Sequence, residues 1–303
     1  MLQNISLVAN QVLILFILIA IGVICNKTKL LKGSTIKQMT DFVLYIVVPA
    51  VIINSFNREY NPKMLKGLLV AFGLSFLSFA INIILSRLLI KDKDKRRERV
   101  LQYGAIYSNA GFMSLPLQQA ILGDKGVFYG AVFIAVYNII NWTYGVVLMS
   151  GSLKAVSLKK MLINPGIIGT VIGLIFFIIP FSLPQVITAP LEYISSLNTP
   201  IPMVIIGFHL ANSSFKIKGF SAYFSMLFRL VLSPLLFLAI FRLMGIEKVI
   251  LVSMIIALSA PFAATNTMFS QKFDADTPLS ASLVSVTTLI SIITMPVIIG
   301  LAL

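Results

Sequence analysis

Uninterrupted apolar runs of more than 18 residues recur along this chain, and they decide what it can fold into. A helix needs about 20 apolar residues to cross a bilayer. Inside hydrocarbon, every backbone N–H and C=O must be paired, so only helices and closed barrels span. Barrel strands alternate apolar and polar residues over about ten positions, whereas these runs do not alternate. The reading is therefore an all-α polytopic membrane protein. Ten transmembrane helices are expected, at about 6–25, 37–56, 65–90, 100–121, 126–149, 164–183, 190–210, 220–244, 248–270 and 278–302. The first run continues to Cys25, and no Lys or Arg stands in Met1 to Asn10, so it reads as a retained span, not a cleaved signal peptide.

Composition excludes other classes. Of 303 residues, 58% are hydrophobic and 11% charged, far from the roughly 25% charged of soluble domains and from the low hydrophobicity of disordered chains. The net charge of +14 invites a nucleic-acid partner, but the cations sit in loops between apolar runs. Loops after odd-numbered spans hold 17 of the 24 Lys and Arg, and loops after even-numbered spans hold six. The positive-inside rule then places the odd loops in the cytoplasm and both termini outside a cytoplasmic membrane. The single Cys25 excludes an intramolecular disulfide or a Cys-rich metal site. One His, ten acids and the lack of P-loop, H-E-x-x-H or G-x-S-x-G motifs argue against an enzyme or an ATP-driven pump. No cofactor or metal is expected.

The chain carries a weak internal repeat at an offset of 151 residues. Asp41–Val51 lies over Glu192–Pro202, with acid on acid, aromatic on aromatic and Pro49 on Pro200. Residues 1–150 and 151–303 each hold five spans. An odd number makes the second half enter from the opposite side, giving two inverted five-helix repeats, a construction shared by many secondary transporters.

The fourth and ninth spans, at matched repeat positions, are interrupted by Ser108-Asn109-Ala110-Gly111-Phe112-Met113-Ser114-Leu115-Pro116 and by Ser259-Ala260-Pro261-Phe262-Ala263-Ala264-Thr265-Asn266. Proline removes a donor and clashes with the preceding turn. Broken spans expose half-helix N-termini that attract anions. Crossing helices 4 and 9 would thus hold a negatively charged solute at Asn109, Gly111, Pro261 and Asn266, with Ser108, Pro116 and Ser259 shaping the crossover. On span 5, Asn138 and Trp142 share a face, beside Asn141 and Thr143. Asn138 could donate to a carboxylate, or serve only interhelical hydrogen bonding. Arg229 stands about ten residues, roughly 15 Å, into span 8. A charge there points to function: attracting an anion or pairing with Asp41 or Glu192, with snorkelling as the bland alternative. His209 reads as an interfacial histidine.

At these interruptions the sequence resembles the auxin efflux carrier family, which includes bacterial carriers assigned to malate or malonate and plant auxin transporters. Asn109 to Pro116 (NAGFMSLP), Asn138 to Gly145 (NIINWTYG) and Ser259 to Pro296 carry the resemblance. It implies ten spans in two inverted repeats, a scaffold bundle, and a transport bundle containing the crossover. It implies further that Asn109 contacts the substrate carboxylate and Asn138 lines the pocket. Ser108 departs from the plant pattern, which has proline before the Asn, and the loop after span 5 is short. The expected function is elevator-type secondary transport of a small organic anion, with H+ or Na+ coupling and homodimerisation open. The alternative is a solute-binding receptor that moves nothing.

Overall fold

A computed structural model describes residues 2–179 and 183–303. The described residues form helices and loops without a strand. In chain order the main helices are α1 (Leu2–Lys27), α2 (Gly33–Phe56), α3 (Pro62–Leu89), α4 (Lys95–Ile106), α5 (Leu115–Leu122), α6 (Asp124–Ser150), α7 (Pro165–Ile178), α8 (Gln185–Ala211), α9 (Phe220–Leu243), α10 (Lys248–Ser259), α11 (Thr265–Lys272) and α12 (Thr277–Ala302). Seven of these, α1, α2, α3, α6, α8, α9 and α12, are long and apolar enough to cross a membrane. The stretches expected as spans 4 and 9 are instead pairs of half-length helices, α4 with α5 and α10 with α11. The expected sixth span begins as α7, and its residues 180–182 lie outside the described residues.

Three helices widen into a π-turn two residues ahead of a proline. The turns are Val43–Val47 before Pro49, Ala110–Ser114 before Pro116, and Phe228–Leu232 before Pro234. A proline ring clashes with the carbonyl four residues back, which here belongs to Tyr45, Phe112 or Leu230. Each of those lies inside the widened turn, so the chain absorbs the proline locally and continues.

Small residues let helices approach closely. α1 packs on the second half of α8 and on α12. A Cβ on Gly22 would run into the Val204 carbonyl, and one on Gly207 into that of Ile19. The contact of α7 with the second half of α2 is built the same way: Gly169 meets Pro49 and Gly173 meets Phe56. Such close backbone packing holds helices together where lipid offers no hydrophobic drive. α3 and α9 meet at a buried hydrogen bond, Ser233 Oγ donating to Asn82 Oδ1 at 2.8 Å. The outer surface stays apolar, as at Leu13, Ile17, Ile24, Leu69 and Leu88. A lipid-facing surface requires this.

Candidate functional site

The two interrupted segments meet. α4 stops at Ile106 and α10 at Ser259, and the extended residues beyond them run antiparallel, with Ser108 bridged to Phe262. The Asn109 N–H donates to the Pro261 carbonyl at 2.8 Å, and the Ala263 N–H to the Tyr107 carbonyl at 3.1 Å. The Phe262 N–H donates to Thr287 Oγ1 of α12 at 3.2 Å. Backbone freed from two helices is thereby paired without water, as depth in a membrane demands. The crossing is tight. A Cβ on Gly104 of α4 would overlap the Phe262 ring, so only glycine fits there.

Four half-helix ends surround this bridge. The C-terminal ends of α4 and α10 share one cation. Arg229 of α9 is wholly buried, and its Nη1 donates to the Ala105 and Ile106 carbonyls at 3.3 and 3.2 Å. Its Nη2 donates to the Leu258 carbonyl. Among the described residues Arg229 forms no ion pair, so it is neither the partner of Asp41 or Glu192 nor a snorkelling side chain. Three backbone carbonyls take that place.

The N-terminal ends differ from each other. Asn109 caps the turn that leads into α5, and its carbonyl accepts from the Met113 and Ser114 N–H groups at 3.1 and 3.3 Å. Among the described residues its side-chain amide caps nothing and makes no hydrogen bond, although the residue is only 7% exposed. Beside it, a Cβ added to Gly111 would meet nothing within 4 Å. Ser108 Oγ is also buried without a partner. At the head of α11, Thr265 Oγ1 lies 2.9 Å from the Tyr103 hydroxyl and 2.8 Å from that of Tyr137. The Tyr103 hydroxyl donates to Asn141 Oδ1 at 2.6 Å, and that of Tyr107 to the Ile140 carbonyl at 3.0 Å. Asn266 is fully buried and donates through Nδ2 to the Val100 carbonyl at 3.2 Å, while its Oδ1 has no partner.

The structure thus brings Ser108, Asn109, Gly111, Pro261 and Arg229 around one crossing. Pro116 follows as the proline beyond the π-turn of α5. Ser259, fully buried, donates back to the Ile256 carbonyl of its own helix at 3.2 Å. Asn138 stands elsewhere on α6: half-buried, it donates to the Ile134 carbonyl at 3.0 Å and lies beside Gly166 at the start of α7. Trp142 packs against Phe269, ring centres 5.5 Å apart, with the Lys272 ammonium 5.8 Å away. Sequence reasoning passed over Tyr103, Tyr107, Tyr137 and Thr287. The i, i+4 tyrosines immediately ahead of the first break were the available signal.

Two cavities flank the crossing. One of about 280 Å³ is lined by Asn54, Gln119, Asp124, Glu192 and Asn198 where α2 and α8 face the ends of α5 and α6. Another of about 460 Å³ is lined by Arg87, Lys91, Lys95, Glu98 and Arg99. Neither is lined by Asn109. Chemically, an unpaired amide and a helix head with free N–H groups can donate to a carboxylate.

The family described as membrane transport protein matches over residues 7–158 and again over 149–299. A protein of Methanocaldococcus jannaschii described as an uncharacterized transporter is 24% identical over 300 residues, spanning 94% of this chain and 95% of that protein.

Proposed function

The chain belongs to the auxin efflux carrier family of membrane transport proteins, and on that footing we propose that it is a secondary transporter of a small organic anion, taken at the crossing of two broken helices. The observation that carries the site is the Asn109 amide. The residue is 7% exposed, its amide makes no hydrogen bond among the described residues, and it heads a half-helix that borders open space at Gly111. A carboxylate oxygen accepting from Nδ2 would give this amide a charge-assisted hydrogen bond, worth about 1.5–3 kcal/mol. The head of α5 would add its N–H groups and dipole. Asn138 would line the route to this point, and a malate- or malonate-like acid suits a pocket of this chemistry.

The proposed frame is ten spans in two inverted halves, 1–150 and 151–303, with both termini outside. Three features support it. Gly22 and Gly173 stand 151 residues apart and each faces a helix of the opposite half, α8 and α2 respectively. Asn82 and Ser233 also stand 151 apart and bond to each other, as equivalent residues on a two-fold axis would. The family match falls once on each half. In this reading α1, α2, α7 and α8 form a glycine-locked scaffold, and the crossing moves against it.

The test is flux. The purified protein is reconstituted in liposomes and uptake of labelled malate, malonate and indole-3-acetate is followed beside Asn109→Ala. Uptake of one of these acids that disappears in a folded Asn109→Ala protein supports the site. Undiminished uptake in the variant removes Asn109 from it, and binding without uptake favours a receptor.

A further inference from the structure

The C-terminal ends of α4 and α10 converge at the crossing. The last carbonyls of a helix have no partner in their own helix and carry its negative pole. Here two such poles point at one spot in the interior of the protein. In transporters built from discontinuous helices, half-helix C-termini and unwound carbonyls are what coordinate a coupling Na+. In this chain the spot is filled. Arg229 reaches it from the π-turn of α9 and donates to Ala105, Ile106 and Leu258, covering both helix ends with one guanidinium. The fit is chemical: a planar fork of N–H donors with no acceptor of its own satisfies several carbonyls at once. No carboxylate is bonded to it among the described residues, so the positive charge is balanced by the two helix poles.

We propose that Arg229 is the resident cation of the crossing: it permanently occupies the position of a coupling Na+, and the carrier therefore works without sodium. The inference rests on the transport reading and deepens it by naming what the coupling cannot use. It also assigns the two kinds of helix pole separate tasks. The negative poles are closed by a fixed charge, and the positive head of α5 stays open for an anion.

The test separates this inference from the transport reading by using two measurements on the full-length protein. The first is thermal unfolding in NaCl, KCl and choline chloride at equal ionic strength. The wild-type melting temperature is expected to be the same in all three. Arg229→Ala and Arg229→Gln uncover the carbonyls and are expected to melt on the order of 5 °C or more lower in choline, with a saturable, Na+-specific recovery. Arg229→Lys, whose ammonium still fills the position, is expected to melt nearer the wild type with no sodium-specific recovery; a saturable Na+ recovery in it overturns the proposal, and this variant serves if the others do not fold. A purely structural arginine would lower the melting temperature without any sodium-specific rescue, which overturns the proposal. A saturable Na+ effect on the wild type overturns it also. The second measurement is malate and malonate uptake with Na+ replaced by choline. Unchanged uptake supports the proposal and sodium-dependent uptake overturns it. Absence of uptake in both media, beside sodium-insensitive wild-type melting and sodium-rescued variants, supports the resident cation and counts against the transport reading alone.

Discussion

The two breaks lie on either side of one backbone bridge, yet they are finished differently. The second is the more closed. Thr265 is bonded to Tyr103 and Tyr137, Asn266 reaches the Val100 carbonyl with its Oδ1 left unpaired, and the Phe262 ring fills the space over Gly104. The first is left open: among the described residues the Asn109 amide caps nothing and the buried Ser108 hydroxyl has no partner, and there is room beside Gly111. A repeated architecture need not mean a repeated task. In the proposed function one break is the floor and the other the contact with the solute.

This contrast can be broken by mutation. The largest expected effect is on flux: Asn109→Ala should weaken solute affinity about 10- to 100-fold, the worth of a hydrogen bond to a charged group, with the melting temperature unchanged. If Asn266→Ala weakens affinity as much without altering stability, the two breaks share the work and the contrast fails. Next comes Gly104→Val, which forces a side chain into the Phe262 ring and should cost about 1–3 kcal/mol as overpacking, read as a lower melting temperature. Thr265→Val removes the hydroxyl between two tyrosines and should cost about 1 kcal/mol. Circular dichroism melts would register it, and a variant as stable as wild type would show that the second break is not sealed by this cluster.

The smallest effect lies away from both breaks. Burial opposes ionisation of Glu98, but the Asp92 N–H, the Lys95 ammonium and the Lys91 charge outweigh it and hold its carboxyl below the usual range. A carboxylate so held stabilises the fold above the ordinary carboxylate range, and that contribution is lost as pH falls through its lowered value. Glu98→Gln should therefore lower stability slightly at neutral pH and leave the acid extreme nearly unchanged, so that stability falls less steeply as the pH is lowered. A steeper acid slope in the variant would reverse the assignment.

The interrupted helices were legible in the sequence because Gly and Pro act through the local backbone, and Pro116 and Pro261 mark their own positions. The contacts of Arg229 were not legible. Its acceptors are backbone carbonyls, which every residue carries, so no side chain announces them, and a search for an acid leads to Asp41 and Glu192. The tyrosine cluster was missed because a tyrosine in an apolar run reads as an interfacial anchor. Asn138 and Trp142 were paired by helical periodicity. A π-turn at Asn141–Gly145 begins between them. It is Asn141, one turn along, that reaches Tyr103 of the cluster at the crossing.

The backbone bridge also has a mechanical consequence. Asn109 is tied to Pro261, and Ala263 to Tyr107, by two bonds running in opposite directions. A force along α5 is therefore delivered to α10 and α11 through the main chain, with no side chain as intermediary. The four half-helices behave as one lever with a fixed pivot. If the crossing moves as proposed, its displacement relative to neighbours can be large while the geometry around Asn109 stays constant, and a solute gripped at one limit of travel would be gripped identically at the other.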